Sequence, residues 1–129
     1  MNIEITIDSS ISFVKKQGIK IVTDFWGIRN VEDKWVSLNN MCCPLGAVLL
    51  EHQKIFLESQ LFKGAQANID LRDVRFNPAH SIINLFHVDI AWVNSFSHGL
   101  VDSKIRYYKY QSVRDLGYKY HQIYRANDI

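Results

Sequence analysis

The segment Pro44 to Leu50 reads Pro-Leu-Gly-Ala-Val-Leu-Leu, with no charged or polar side chain at any position. Proline suits the first position of a helix, and a helix that is apolar on every side has to be surrounded by the rest of the chain. The remaining sequence must therefore supply a layer on each side of it. At 129 residues the chain has the length of one domain, read here as 1–129 without an internal boundary, because no repeat, low-complexity tract or Pro/Ser-rich linker interrupts it. Hydrophobic residues at 47% and charged residues at 22% exclude general disorder.

Around that segment the patterns are mixed. Asp8-Ser9-Ser10 supplies cap residues before Ile11, Phe13 and Val14, and Gly18 closes the stretch, which predicts a short helix. Ile19, Ile21, Thr23 and Phe25 alternate with Lys20, Val22, Asp24 and Trp26 as in a strand. Gly27 to Asp33 is a turn candidate, and Lys34 to Leu38 returns as a second strand carrying Trp35, so an antiparallel hairpin is expected. Ile55 to Phe76 is assigned a helix and then an extended segment. Asn77-Pro78 opens a helix with Ile82, Ile83, Leu85 and Phe86, and Asp89 caps another with Ile90, Trp92, Val93 and Phe96, which Gly99 is expected to end. From about Lys104 to Arg125 the residues Ile105, Tyr108, Ser112, Leu116, Tyr120 and Ile123 recur every three to four positions, as in one long amphipathic helix that Gly117 weakens slightly. The fold class is thus α+β: a small N-terminal antiparallel hairpin or sheet packed on a mainly helical C-terminal part that ends in a long amphipathic helix.

The two helices between residues 78 and 99, joined around His87, place Ile82, Phe86, Val88, Val93 and Phe96 much as a helix-turn-helix unit does, and this stretch resembles that DNA-binding motif. The resemblance implies a reading helix from Asp89 to His98. Laid out at 100° per residue, that helix gathers Ile90, Trp92, Val93 and Phe96 on one side and turns Ala91, Asn94, Ser95 and His98 outward, with Asn94 suited to an adenine edge. Where the motif favours glycine at the corner, this chain has His87. No Lys or Arg lies between Pro78 and Asp102, so phosphate contacts would fall to Arg106, Lys109 and Arg114 of the tail. From Val101 onward six cations face Asp102, Asp115 and Asp128, a local balance of +3 within a net charge of +2, but on a helical wheel they surround the helix without forming a stripe.

Chemistry-bearing groups are dispersed. Cys42 and Cys43 are adjacent, too close for an unstrained disulfide, and with no other cysteine to pair with they suit a reducing compartment. Cys43 should cap the Pro44 helix, where a helix N-terminus stabilises a thiolate, which makes it a candidate reactive thiol; burial as a small hydrophobe is the competing outcome. Ser95, His98 and Asp102 have the residue types of an acyl-transfer triad but no nucleophile elbow. Five histidines and two cysteines show neither Cys-x-x-Cys nor His-x-x-x-His, so no metal is expected, and the absence of a glycine-rich phosphate loop leaves no expected cofactor.

The chain therefore reads as a non-catalytic protein-interaction or regulatory module, with a protein partner or self-association expected and with Trp26, Trp35, Trp92, Tyr107 and Tyr118 as the aromatic interface candidates. A nucleic-acid-binding regulator is the first alternative and a thiol-dependent enzyme or redox sensor the second. The N-terminus carries no basic and apolar leader and no apolar stretch reaches membrane-spanning length, so a cytoplasmic location without a membrane partner is expected.

Overall fold

The computed structural model describes residues 2–24, 26–31, 34–37, 40–52, 78–104 and 109–128, with the backbone alone at 28–31 and 34–37. The expected helix and extended segment between Ile55 and Phe76, together with Phe25, Arg106 and Tyr107, lie outside the described residues, as does the side chain of Trp35.

Helix α1, Ile3–Lys16, begins eight residues before the expected Ile11 start. Asn2 is its cap, accepting from the Ile5 amide at 3.1 Å. The helix runs through Asp8-Ser9-Ser10 because Ile7, Ser10, Ile11 and Val14 form one buried stripe, and burial of that stripe outweighs the local capping preference of short polar residues. Its end is as expected: Gly18 takes φ +83°, and the Ile19 amide reaches back to the Val14 carbonyl.

The strands depart from the expected hairpin. Lys20–Ile21 (β1) pairs in parallel with Met41–Cys42 (β4), while Ile28–Val31 (β2) and Lys34–Ser37 (β3) form the antiparallel pair. The expected strand over 19–26 is thus reduced to two residues with a different partner, and half of the expected turn is itself a strand. The reason is visible in what flanks residues 21 to 23. Ile21, Val22 and Thr23 are buried in succession rather than alternately, because β4 lies on one side and the C-terminal end of the chain on the other. There Asn127 Nδ2 donates to the Ile21 carbonyl at 2.8 Å, and the Thr23 amide and hydroxyl both donate to the Asp128 carboxylate.

Helix α2, Pro44–His52, has every residue from Pro44 to Leu50 buried, as an all-apolar helix must. It packs on α1, where Ser10 Oγ donates to Glu51 at 2.9 Å, and on α3, Pro78–Phe86. His87 turns the corner at φ +56°, the left-handed conformation the motif requires, and Asp89 caps α4, Ile90–Leu100, by accepting from the Trp92 amide at 2.9 Å. The final helix, α5, spans Gln111–Tyr124 and is followed by a 3-10 turn, Arg125–Asn127, so the described part of the expected 104–125 helix begins at Gln111.

Helices α4 and α5 run in the same direction: Asp89 at the start of one meets Tyr110 at the start of the other, and the Leu100 carbonyl meets His121. Their glycines make the contact. A Cβ on Gly99 would stand 1.9 Å from the Arg114 carbonyl oxygen, and one on Gly117 would stand 2.1 Å from that of Phe96. Gly99 therefore does not end α4, which continues to Leu100 with its cap at Val101, and Gly117 is the residue that lets the two backbones touch. Rings interlock beside the crossing, from Phe86 through Trp92, Phe96 and Tyr120 to Tyr124, with centroids 5.6 to 6.5 Å apart.

Because backbone oxygens cannot yield as a side chain can, Gly99→Ala and Gly117→Ala should each destabilise the protein by about 3 kcal/mol, the upper end of overpacking. Gly18→Ala meets nothing within 4 Å and bears only the left-handed backbone, roughly 1 kcal/mol. Urea unfolding midpoints of the three variants test that ranking.

Candidate functional site

A half-open cleft of about 110 Å³ lies where the chain leaves β1 and passes the last turn of α4. Thr23, Asp24 and Trp26 form one wall, Cys43 and Leu45 the floor, and Ser97, Leu100 and Val101 the opposite wall. Two glycines set the first wall in place. Gly27, at φ +78°, presses against β4 where a Cβ would stand 2.0 Å from the Met41 carbonyl oxygen, and a Cβ on Gly46 would stand 2.1 Å from that of Trp26. The Asp128 carboxylate holds Thr23 from behind.

On the floor, Cys43 occupies the capping place expected from sequence, its Sγ accepting from the Gly46 amide at 3.3 Å. The chemical consequence is the reverse of activation. Burial pushes the Cys43 thiol up to about 11, against the lowering by amides of the helix start, and burial together with Cys43 drives Cys42 higher still. Both thiols are buried, and among the described residues no histidine lines the cleft to serve as a base.

The other sequence candidates are distributed as follows. Trp26 lines the cleft. Trp92 is 8% exposed and belongs to the ring stack, and Tyr118 lies half-buried between the Arg114 guanidinium and the His121 ring. On α4, Asn94 is exposed as expected and His98 is half-buried, whereas Ser95 is buried against the α5 side and donates to the Ala91 carbonyl at 2.7 Å. Ile90, assigned by the wheel to the covered side, is 52% exposed. The Ser95 and Ile90 misplacements share a cause. The wheel was centred on the large apolar residues, but the covered face is set by Gly99, which turns the Ser95 side toward α5 and Ile90 away from it. Ser95, His98 and Asp102 do not assemble, since the Ser95 hydroxyl is on a backbone carbonyl and Asp102 holds Arg114 at 3.1 Å.

Lys109 and Arg114, two of the tail cations expected to reach phosphate, are engaged in ion pairs. Lys109 meets Asp89 at 3.3 Å, and Arg114, 18% exposed, combines Asp102 with the Tyr118 ring. Asp89 is held below its ordinary value by the Trp92 amide first, then by the Tyr110 hydroxyl and Lys109. Among the described residues no group of three His, Cys, Asp or Glu is placed to hold a metal ion, and no helix is long and apolar enough to cross a membrane. Sequence reasoning missed Thr23 and Asp24 as parts of the cleft and Asp128 as the partner of Thr23; a pairing with a residue 105 positions away has no local signal.

Comparison with protein-family models, with curated proteins and with solved structures finds no match for this chain.

With Cys43 two pH units above an ordinary thiol, iodoacetamide should label the native protein at pH 7 at least about a hundredfold more slowly than the urea-unfolded chain. The native rate should climb steadily to about pH 11. A second expectation concerns acid. A carboxyl depressed in the folded state contributes stability that is present above its unfolded pKa and lost as pH falls through the folded value. Thermal midpoints of the wild type should therefore fall more steeply than those of Asp89→Asn as pH drops below about 4.

Proposed function

We propose that this chain is a non-catalytic protein-interaction or regulatory module acting in the cytoplasm, and that its contact surface is the exposed face of α4 together with the cleft at its end. The observation that carries this reading is an uncharged stripe at helical spacing: Ile90, Asn94, Ser97 and Val101. Ile90 and Val101 are 52% and 49% exposed, at the two ends of a line about 16 Å long by helix rise. Ser97 and Val101 also belong to the cleft wall, so the stripe runs into the recess that contains Trp26. An aromatic residue beside a recess, next to exposed aliphatic groups, is the composition of an interface anchor.

The groups that would support catalysis point the same way. Both thiols are held protonated, Ser95 and Asp102 are engaged separately, and the cleft is below the roughly 300 Å³ at which small-molecule sites begin. One observation favours a nucleic-acid reader instead: the left-handed His87 corner joins α3 and α4 as in a helix-turn-helix. Against it, the helix that would enter the groove exposes an uncharged face, and Lys109 and Arg114 would have to leave Asp89 and Asp102 to reach phosphate.

A photo-crosslinking residue at Asn94, in the full chain within its native cells, should give a protein adduct that resists nuclease. The same residue at exposed Gln122 of α5 should not, and Ile90→Asp should reduce the Asn94 adduct at least about tenfold. A nuclease-sensitive adduct, with binding that weakens steeply in salt, selects the nucleic-acid reading. No adduct at Asn94, or equal adducts at both positions, overturns the proposal.

A further inference from the structure

The cleft has a definite charge character, and this extends the reading of the α4 face as a protein contact, on which it rests. Asp24 stands exposed on its rim, and no cation pairs with it among the described residues. Among the described residues no Lys or Arg lines the cleft. Several of the donors that could have welcomed an anion are already used. Thr23 gives both its amide and its hydroxyl to Asp128, while at the start of α2 the Gly46 amide goes to Cys43 Sγ, the Ala47 amide goes to the Cys43 carbonyl, and Pro44 has none to offer. The opposite wall is the last turn of α4, the end of a helix that carries partial negative charge.

Apart from the Ser97 hydroxyl, the rest of the lining is apolar. Leu45, Leu100 and Val101 face the half-buried Trp26, a ring that attracts cations over its face. At about 110 Å³ the space suits one side chain rather than a free ligand of drug size. An apolar stem ending in a positive charge satisfies all of these conditions together, because its methylenes cover the leucines while its charged end reaches the rim. An acidic end would meet Asp24, and a purely aliphatic one would leave the carboxylate without a partner.

We propose that the cleft between Trp26 and the last turn of α4 receives a lysine or arginine side chain of a protein partner, with its stem between Leu45, Leu100 and Val101 and its charge against Asp24. The partner segment is thus basic at one position and apolar beside it, where it continues along Val101 and Ile90.

Selection of peptides from a random display library against the full-length protein tests this, with bound peptides located by the Trp26 indole resonance. The expected peptides carry one dominant Lys or Arg position, shift that resonance, and bind at least tenfold more weakly to Asp24→Asn and to protein in 0.5 M salt than to the wild type at low salt. Selection against Asp24→Lys should replace the basic position by Asp or Glu. Peptides that shift Trp26 but are acidic or wholly apolar, or that are indifferent to Asp24→Asn, overturn the cleft assignment while leaving the α4 face as a protein contact. Self-association abolished by Asp24→Asn would place a second copy in the cleft and overturn the assignment to a different partner. Failure of any peptide to reach the Trp26 and Asn94 surface overturns both readings.

Discussion

The contact between Gly99 and the backbone of α5, returned by Gly117 against the backbone of α4, is the constraint from which the remaining arrangement follows. Backbones that approach this closely bring Phe96 and Tyr120 face to flank, and Tyr120 is then deep enough that its hydroxyl must find a partner. It donates to Asp8 of α1 at 2.6 Å, and burial is the main cause raising its own titration far above the usual range. Helix α1 is thereby fixed against α5, with Lys119 on Glu4 and Lys15 over Tyr124 along the same seam, and its other flank closes over α2. One steric condition on two residues therefore orders the helices around the all-apolar segment at the centre.

The same crossing decides which face of α4 meets solvent. With Gly99 turned toward α5, Ser95 and Trp92 follow it inward, and the line from Ile90 to Val101 is left outside. At the end of that line two influences compete at Cys43: the amides at the start of α2 favour the thiolate and burial opposes it, and with both acting the thiol is pushed up to about 11. Desolvation prevails, and the sulfur serves as a cap that uses the first amides of α2.

Elements governed by nearby residues were legible in the sequence. The Pro44 helix, the Asp89 cap and the Gly18 stop each depend on residues within four or five positions, and each stands where the pattern placed it, while His87, a departure from the glycine of the resembled motif, nevertheless takes the left-handed corner. The errors lie where a distant partner intervenes. Gly99 and Gly117 have ordinary local readings as a stop and a weak point, and only the neighbouring helix gives them their purpose. The alternation over Ile19–Trp26 does not hold because Val22, on the face opposite Ile21 and Thr23, is buried along with them where β4 and the Asn127-Asp128 segment flank this stretch. Trp26 stands out for its aromatic character, but the cleft around it is assembled from three separate stretches of chain.

Charge completes the account. The tail carries a surplus of basic residues, and three of them join elements through ion pairs: Lys109 to the cap of α4, Arg114 to the turn after it, and Lys119 to α1. At exposed sites such pairs contribute little to stability, but they set direction, since each orients α5 against a neighbour and lowers the potential available to a polyanion. Asp128 does the same from the acidic side by consuming both donors of Thr23. Beside the neutral stripe of α4 stands the Asp24 carboxylate at the mouth of the recess, and for a partner docking there, as proposed, this local charge would weigh more than the overall charge of +2.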